Sequence, residues 1–208
     1  MATLIEHPCV QHKLGLIRRV ETGHKEFREL ATEITKFVCY EALKNVRTRE
    51  VVVETPVASA TCREIDTDIV VIPILRAGVG MLEGILELVP TARVGFVGLY
   101  RDEATKEPVT YYERFPPQIK GGTCIVIDPM IATGGSTVAA LDLLKKRGAD
   151  NIVVICIVTC PEGIARVEQS HPDVPIYAAA IDRELNDKKY IVPGLGDAGD
   201  RLFGTSHH

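Results

Sequence analysis

One junction in the sequence places a carboxylate directly before a loop rich in glycine and hydroxyl side chains. Asp128 follows the apolar run 124–127, and Thr133-Gly134-Gly135-Ser136-Thr137 then leads into a helix-like pattern. A helix N-terminus offers unpaired N–H groups, and paired glycines let the backbone close around an anion. The junction therefore predicts a monophosphate site, with Asp128 able to accept hydrogen bonds from a ribose diol. It lacks the Gly-Lys-Ser/Thr of a Walker P-loop. The alternative is a glycine-rich turn with Ser136 as N-cap.

Two arginines also follow strand-like runs. Arg76 comes directly after the run 69–75 and before Ala77 and Gly78, where a guanidinium could hold a polyanion. Arg101 stands near the base of a polar excursion, 99–112, which could form a lid or hairpin arm that reaches a phosphate. The alternatives are a surface arginine before a helix and a solvated surface hairpin.

A fourth segment, 190–204, combines four glycines with apolar side chains. Ile191, Leu195 and Leu202 favour a packed loop over a frayed one. A packed glycine-rich loop presents backbone donors and acceptors at close range, and these can recognise a flat heterocycle. The alternative is an ordered terminal turn.

The elements that position these segments follow from the apolar pattern. Apolar runs that are mostly continuous rather than alternating indicate strands buried on both faces, and they occupy residues 51–53, 69–75, 94–99, 124–127, 152–158 and 176–181. Helical patterns fall between or before them, at residues 24–45, 80–88, 136–147 and 162–170. This order predicts an α/β fold with an open, mostly parallel sheet flanked by helices. Ligands of such sheets bind at the carboxyl ends of the strands.

Composition limits the function classes. The chain has 208 residues, 46% hydrophobic and 25% charged, and a formal net charge of −4. These values predict one globular domain with no general attraction to nucleic acid or anionic lipid. No window resembles a membrane helix, no signal peptide is visible, and six cysteines form no C-x-x-C pair. We therefore expect a cytoplasmic protein with reduced cysteines, a domain spanning residues 1–205, and a tag remnant at 206–208.

Together these segments resemble the uracil phosphoribosyltransferase family of type I phosphoribosyltransferases. The resemblance covers essentially the whole chain, from His7-Pro8 to Phe203-Gly204-Thr205, and its most specific motifs are residues 128–136 and 190–201. Broader type I enzymes carry two adjacent acidic residues at this place. The sequence has Asp128-Pro129 instead, which is the pattern of the uracil enzymes. The resemblance implies a C-terminal hood at about residues 183–205 and a hairpin arm.

The same resemblance implies a reaction in which uracil and 5-phosphoribosyl 1-diphosphate (PRPP) give UMP and pyrophosphate. Asp128, Arg76 and Arg101 are its implied catalytic residues. The implied PRPP-binding residues are Arg76, Ala77, Gly78, Arg101, Asp128, Pro129, Met130, Ile131, Ala132, Thr133, Gly134, Gly135, Ser136, Thr137 and Asp197. The implied uracil-binding residues are Ile191, Gly196, Asp197 and Ala198.

Cofactor and partners follow from the resemblance as well. Mg²⁺ is expected on the diphosphate and ribose oxygens rather than in a protein cage, with Asp197 as the nearest carboxylate. GTP activates some relatives and is a candidate activator here. Family members are homodimers or higher oligomers. Nucleic-acid and membrane partners are not expected.

Three other functions stay open at this point. One is a regulator of the same fold that binds pyrimidine nucleotide and RNA, which the net charge disfavours. Another is a phosphoribosyltransferase for purine or orotate, which residues 191–200 disfavour. The third is a non-catalytic nucleotide-binding module, which the pairing of a phosphate loop with Arg76 disfavours.

Overall fold

The computed structural model describes residues 2–101 and 108–205, with the side chains of residues 101 and 108 left out. Seven strands form the main path of a central sheet, in the order β1-β11-β10-β8-β4-β6-β7. All neighbours on this path are parallel except β6 and β7. The strands are β1 (Ala2–Leu4), β2 (Thr48–Glu54), β3 (Ser59–Ile65), β4 (Ile69–Leu75), β5 (Arg93–Val94), β6 (Phe96–Arg101), β7 (Pro108–Arg114), β8 (Thr123–Ile127), β9 (Met130–Ile131), β10 (Asn151–Thr159), β11 (Ile176–Ile181), β12 (Glu184–Leu185) and β13 (Ile191–Val192).

Helices cover both faces of this sheet. One core cluster joins the sheet to the first three helices and the last one, through side chains such as Phe27, Ile34 and Met81. A second cluster lies under the fourth and fifth helices, with Leu141 and Val167 at its centre. The helices are α1 (Pro8–Ile17), α2 (His24–Ala42), α3 (Val79–Leu88), α4 (Gly135–Lys146), α5 (Pro161–Ser170) and α6 (Ala198–Phe203). The predicted open α/β sheet flanked by helices is therefore confirmed.

The register of the central strands brings the predicted loops together. β4 and β8 pair in parallel with Pro73 opposite Ile127, so both strands end at nearly the same level of the sheet. Arg76 and Asp128, which follow these strands, consequently emerge at neighbouring points on one edge. The apolar runs dictate this arrangement, because side chains buried on both faces belong to central strands.

The structure corrects several boundaries. α1 was not predicted, although Val10, Leu14 and Ile17 recur at helical spacing and are all buried. The helix expected over residues 24–45 ends at Ala42. The run 94–99 is divided between β5 and β6.

The run 51–53 is not part of the central sheet. It lies in β2, which pairs only with β3 in a separate two-stranded hairpin. Three consecutive valines are compatible with either a buried strand or a half-exposed one, and Val52 is exposed here. Its polar neighbours Glu50 and Glu54 mark the hairpin as a surface element.

Two further expectations concern the ends of the chain and the membrane. The residues interpreted as a tag remnant, 206–208, lie outside the described part. Within the described part, no helix is long and apolar enough to span a bilayer.

Candidate active site

The loop between β8 and α4 forms one wall of a cleft. The α4 helix begins at Gly135, and Gly134 before it has φ +74°, a left-handed conformation that favours glycine. A Cβ on Gly134 would come within 2.9 Å of the Gly163 carbonyl oxygen, so the loop packs directly on the first turn of α5. Gly134 rather than Ser136 is the N-cap residue, which excludes the simple Ser-capped turn.

Residues that follow β8 line a cavity of about 310 Å³ together with part of the C-terminal segment. Pro129 is not among its lining residues, and its carbonyl oxygen is turned to the sheet, where it accepts hydrogen bonds from the N–H groups of Ile157 and Val158 of β10. The predicted site residues that line it are Asp128, Met130, Ile131, Ala132, Thr133, Gly134, Gly135, Ser136, Thr137, Ile191 and Asp197.

A second cavity, of about 210 Å³, lies on the Arg76 side of the same cleft. It is lined by Arg76, Ala77 and Ala198, and it shares Asp128 and Asp197 with the first cavity. The two cavities therefore adjoin at the end of β8. The Arg76 guanidinium is 62% exposed and stands 3.9 Å from a carboxylate oxygen of Asp200, so its donors remain accessible to an anion.

Gly78 is required by close packing rather than by its φ angle. A Cβ at this position would stand 2.5 Å from the Ile127 carbonyl oxygen and 2.7 Å from the Ile74 backbone nitrogen. Its own N–H donates to the Ile74 carbonyl oxygen at 2.9 Å. Gly78 therefore holds the Arg76 loop against the end of β8, next to Asp128, instead of presenting a surface to the cleft.

Asp128 has an unusual protonation equilibrium. Burial at the base of the cleft raises the pKa of this carboxyl group to about 7; the hydrogen bond from the Met130 N–H (3.3 Å) opposes the rise and the charge of Asp197 adds to it. Among the described residues no cation forms an ion pair with Asp128, and none contributes to the shift of its pKa. The carboxylate is suited to accept hydrogen bonds from neutral hydroxyl groups that enter the cleft.

The C-terminal segment forms a hood over this cleft and is anchored by Arg18 of the N-terminal region. Arg18 donates from both Nη atoms to the two carboxylate oxygens of Asp182, each at 2.7 Å, and also to the Gly194 carbonyl oxygen at 2.7 Å. Gly194 N–H in turn donates to Asp182 at 2.8 Å. This buried network fixes the start of the hood, which confirms a packed segment.

A second arginine anchors the end of the hood. Arg201 of α6 donates to the Leu195 carbonyl oxygen at 2.8 Å and to the Arg19 carbonyl oxygen at 2.5 Å. Its guanidinium lies 4.4 Å from the centre of the Phe27 ring. Gly196, a predicted uracil residue, lines a third cavity beside Arg18 and Arg201 rather than the first two. Asp197 caps α6 by accepting from the Asp200 N–H, which occupies one of its oxygens.

Several residues of the site were not predicted from the sequence. Lys188, Lys189 and Tyr190 line the 310 Å³ cavity from the hood side. The Arg18–Asp182 pair joins residues 164 positions apart, which no local pattern reveals. The turn-forming residues Asn186 and Asp187, directly before the lysines, were the available signal for the lysines.

Part of the predicted arm falls outside the described residues. The backbone of β6 and β7 forms an antiparallel pair, as expected for a hairpin arm. The side chain of Arg101 and residues 102–107 lie outside the description, so the placement of that arginine remains a prediction.

No cluster of three or more His, Cys, Asp or Glu side chains suited to a metal occurs among the described residues. The cleft instead contains Asp128 and Asp197, two carboxylates close enough for the charge of one to raise the pKa of the other. That pair fits a divalent cation that takes most of its ligands from a bound substrate and water.

Comparison with known proteins places this geometry in context. The family model described as uracil phosphoribosyltransferase matches residues 4–205. A uracil phosphoribosyltransferase of Agathobacter rectalis is 52% identical over 97% of each chain. The solved structure of the AQ2163 protein from Aquifex aeolicus superposes with a TM-score of 0.94 at 38% identity, over 100% of both chains. A hypoxanthine-guanine phosphoribosyltransferase from Bacillus anthracis shares the fold alone, with a TM-score of 0.54 at 13% identity over 76% of this chain and 80% of that one.

Proposed function

The chain belongs to the uracil phosphoribosyltransferase family, and from this premise we propose that it transfers the 5-phosphoribosyl group of PRPP to N1 of uracil. The products are UMP and pyrophosphate. The observation that carries the proposal is the single cleft in which a phosphate loop, Asp128 and Arg76 lie side by side beneath an anchored hood. PRPP has a phosphate at one end of its pentose and a diphosphate at the other. It therefore needs an anion site at each end, here the phosphate loop and Arg76, with a hydroxyl acceptor, Asp128, between them.

The loop at the start of α4 would hold the 5-phosphate. Backbone N–H groups at a helix N-terminus carry partial positive charge, and the hydroxyls of Thr133, Ser136 and Thr137 add donors. The loop is kept in place by its packing on α5 and by the Thr159 hydroxyl at the end of β10, which donates to the Ile131 carbonyl oxygen at 2.9 Å. A rigid phosphate anchor fixes the position of the anomeric carbon further along the cleft.

Asp128 would accept hydrogen bonds from the 2- and 3-hydroxyls of the ribose. In its ionised form it would also stabilise positive charge that develops on the ring as the diphosphate departs. Donors from the ribose favour the carboxylate over the acid, so substrate binding is expected to lower the raised pKa. Arg76, with the backbone of Ala77, would bind the departing diphosphate, and Arg101 is proposed as the second cation.

Magnesium is proposed as the cofactor. When bound, Mg²⁺ neutralises charge on the diphosphate and so favours its departure. Asp197 and Asp128 are the carboxylates that face this part of the cleft. Because no protein cage is visible among the described residues, most ligands would come from PRPP and water.

Uracil is proposed to bind beneath the hood, read by backbone groups of Ile191, Gly196 and Ala198. The Arg18–Asp182 network and Arg201 fix the hood backbone, so its donors and acceptors are preorganised. A fixed hood also limits the access of water, which would otherwise hydrolyse PRPP.

The test is UMP formation from uracil, PRPP and Mg²⁺. Cytosine, orotate, hypoxanthine and adenine serve as competing bases, and each reaction is run with and without GTP and with EDTA. Turnover with uracil alone, lost in EDTA, supports the proposal. Turnover with a purine or with orotate, or none with any base, contradicts it. A GTP effect on the rate would establish the nucleotide as an activator.

Assembly and location are proposed on other grounds. We infer a homodimer or higher oligomer, supported by family membership and by the exposed valines Val52 and Val57 on the hairpin β2–β3. Light scattering of the purified chain measures its mass in solution. A cytoplasmic location is proposed because the six cysteines are all free, as expected in a reducing compartment.

A further inference from the structure

Lys189 adopts a backbone conformation that lysine normally avoids. Its φ is +67°, and within residues 2–101 and 108–205 it is the one residue other than glycine with a positive φ. The left-handed region brings Cβ too close to the following carbonyl oxygen, which is unfavourable for any residue other than glycine. Conformations of this kind concentrate at binding and catalytic sites, where the surrounding structure holds them.

The surrounding turn holds Lys189 firmly. The Asn186 side-chain oxygen accepts from the N–H groups of Lys188 (3.0 Å) and Tyr190 (2.9 Å). The Lys189 N–H donates to the Asn186 carbonyl oxygen at 2.8 Å. Glu162 of α5 accepts from the Leu185 N–H at 3.0 Å, which ties the turn to the helix that supports the phosphate loop. The turn and the loop are therefore positioned by the same element.

The cavity beside this turn has few cations around it. Apart from its lining residues, the guanidinium of Arg166 in α5 lies beside the loop, 3.9 Å from where a Cβ on Gly135 would stand. Residues 128–137 contain no Lys or Arg, and the cavity also includes the carboxylates of Asp128 and Asp197. Lys188 and Lys189 are the cations among its lining residues. Lys189 forms no ion pair within the described part of the chain. Its charge acts on the exposed Glu162, whose pKa is lowered chiefly by the Leu185 hydrogen bond, with a smaller contribution from Lys189.

We propose that Lys189 binds the 5-phosphate of PRPP and of UMP, and that its left-handed backbone is retained because it places the ammonium at the phosphate cavity. The proposal rests on the function proposed above. A phosphate monoester carries about −1.5 to −2 charges at pH 7. Neutral N–H and hydroxyl donors of the loop balance only part of that charge, and Lys189 supplies a full one from the hood side.

Three variants separate charge from backbone conformation. Lys189→Gln removes the charge and keeps the left-handed backbone. Lys189→Gly removes the charge and relieves the backbone, and Lys189→Arg keeps the charge. A fourth variant, Lys44→Gln, removes one charge from an exposed lysine that follows α2 and does not line the cavity, and it serves as the control.

The measurements are KM for PRPP, kcat, melting temperature, and the dissociation constants of UMP and uridine. Loss of one exposed charge pair corresponds to about a fivefold change. We expect Lys189→Gln and Lys189→Gly to raise KM for PRPP and Kd for UMP about fivefold and to leave Kd for uridine unchanged. The effect should shrink in 0.5 M salt. Lys189→Arg and Lys44→Gln should resemble the unsubstituted chain, and Lys189→Gly should melt no lower than it.

Two results would overturn the proposal. Equal weakening of UMP and uridine would show that Lys189 shapes the hood rather than binds phosphate. Unchanged UMP binding in Lys189→Gln and Lys189→Gly would show that the lysine does not bind the phosphate. The UMP–uridine comparison needs no turnover, so it decides the role of Lys189 even if the unsubstituted chain forms no UMP from uracil.

Discussion

Substitution of Asp128 by Asn is expected to stabilise the fold while it weakens catalysis. Burial raises the pKa of Asp128 from 3.8 to about 7. One unit of pKa corresponds to about 1.36 kcal/mol, so the raised pKa lowers the free energy of unfolding by as much as ~4 kcal/mol above pH 7, where the carboxylate is ionised. The amide is uncharged and can still accept the hydrogen bond from the Met130 N–H.

The pH dependence gives this prediction its sign. The folded state holds the Asp128 proton more tightly than the unfolded chain does, so stability falls as pH rises from about 4 to about 7. Asp128→Asn removes this contribution. The variant should therefore gain stability relative to the parent over that window, with the full advantage at pH 8 and little or none at pH 4.

Urea unfolding of both proteins at several pH values between 4 and 8 measures the difference. Steady-state kinetics at pH 8 should show turnover lowered at least about tenfold, or roughly 1.4 kcal/mol, through loss of the contact to the ribose. An advantage that does not change with pH would refute the burial argument. Turnover near that of the parent would remove Asp128 from the mechanism.

Three further predictions concern the cleft and its supports. The kcat/KM for PRPP should fall as pH drops through about 7, because only the ionised Asp128 accepts from both ribose hydroxyls and stabilises positive charge on the ring. Calorimetry of PRPP binding in buffers of different ionisation enthalpy should show proton release, and a flat pH profile would contradict this prediction. Gly78→Ala should lower the free energy of unfolding, measured in urea, by at least about 2 kcal/mol, because the new Cβ would stand 2.5 Å from the Ile127 carbonyl oxygen. The control Gly15→Ala, whose Cβ would meet no atom within 4 Å, should be neutral or stabilising. Arg18→Ala should lower the free energy of unfolding by about 3 kcal/mol and raise KM for uracil, because it leaves Asp182 buried without its partner. The control Arg49→Ala, at the exposed Arg49–Glu64 pair, should lower it by less than about 1 kcal/mol, and equal losses in the two variants would refute the reasoning.

Most of the fold could be predicted because the buried strands have a strong pattern. β4, β8 and β10 are apolar along nearly their whole length, which identifies central strands of a parallel sheet. The position of the cleft followed, because loops after such strands meet at one edge. α1 was missed because its buried stripe is short, with only Val10, Leu14 and Ile17 at helical spacing. β2 was assigned to the sheet because a run of three valines carries no information about its partner.

The residues of the candidate site also differ in how far local sequence predicts them. Residues contributed by contiguous motifs, such as Asp128 and the loop before α4, could be located from spacing alone. Arg18 and Asp182 could not, because their roles depend on a contact between distant parts of the chain. Lys189 could not either, because its proposed role depends on a backbone angle. The preceding Asn186 and Asp187 indicate a turn, but they do not show that the lysines after it line the cavity.

The Arg18–Asp182 contact has a consequence for how the protein is made. Residues 2–18 are synthesised long before residues 176–182, yet β1 pairs with β11 and Arg18 binds a residue 164 positions later. Contacts of such long sequence separation form late in folding, because a long loop must close before they can contribute. The hood therefore closes only after Asp182 and Gly194 have left the ribosome, and nascent chains that end before Asp182 expose an incomplete cleft in which Arg18 has no partner at the end of α1.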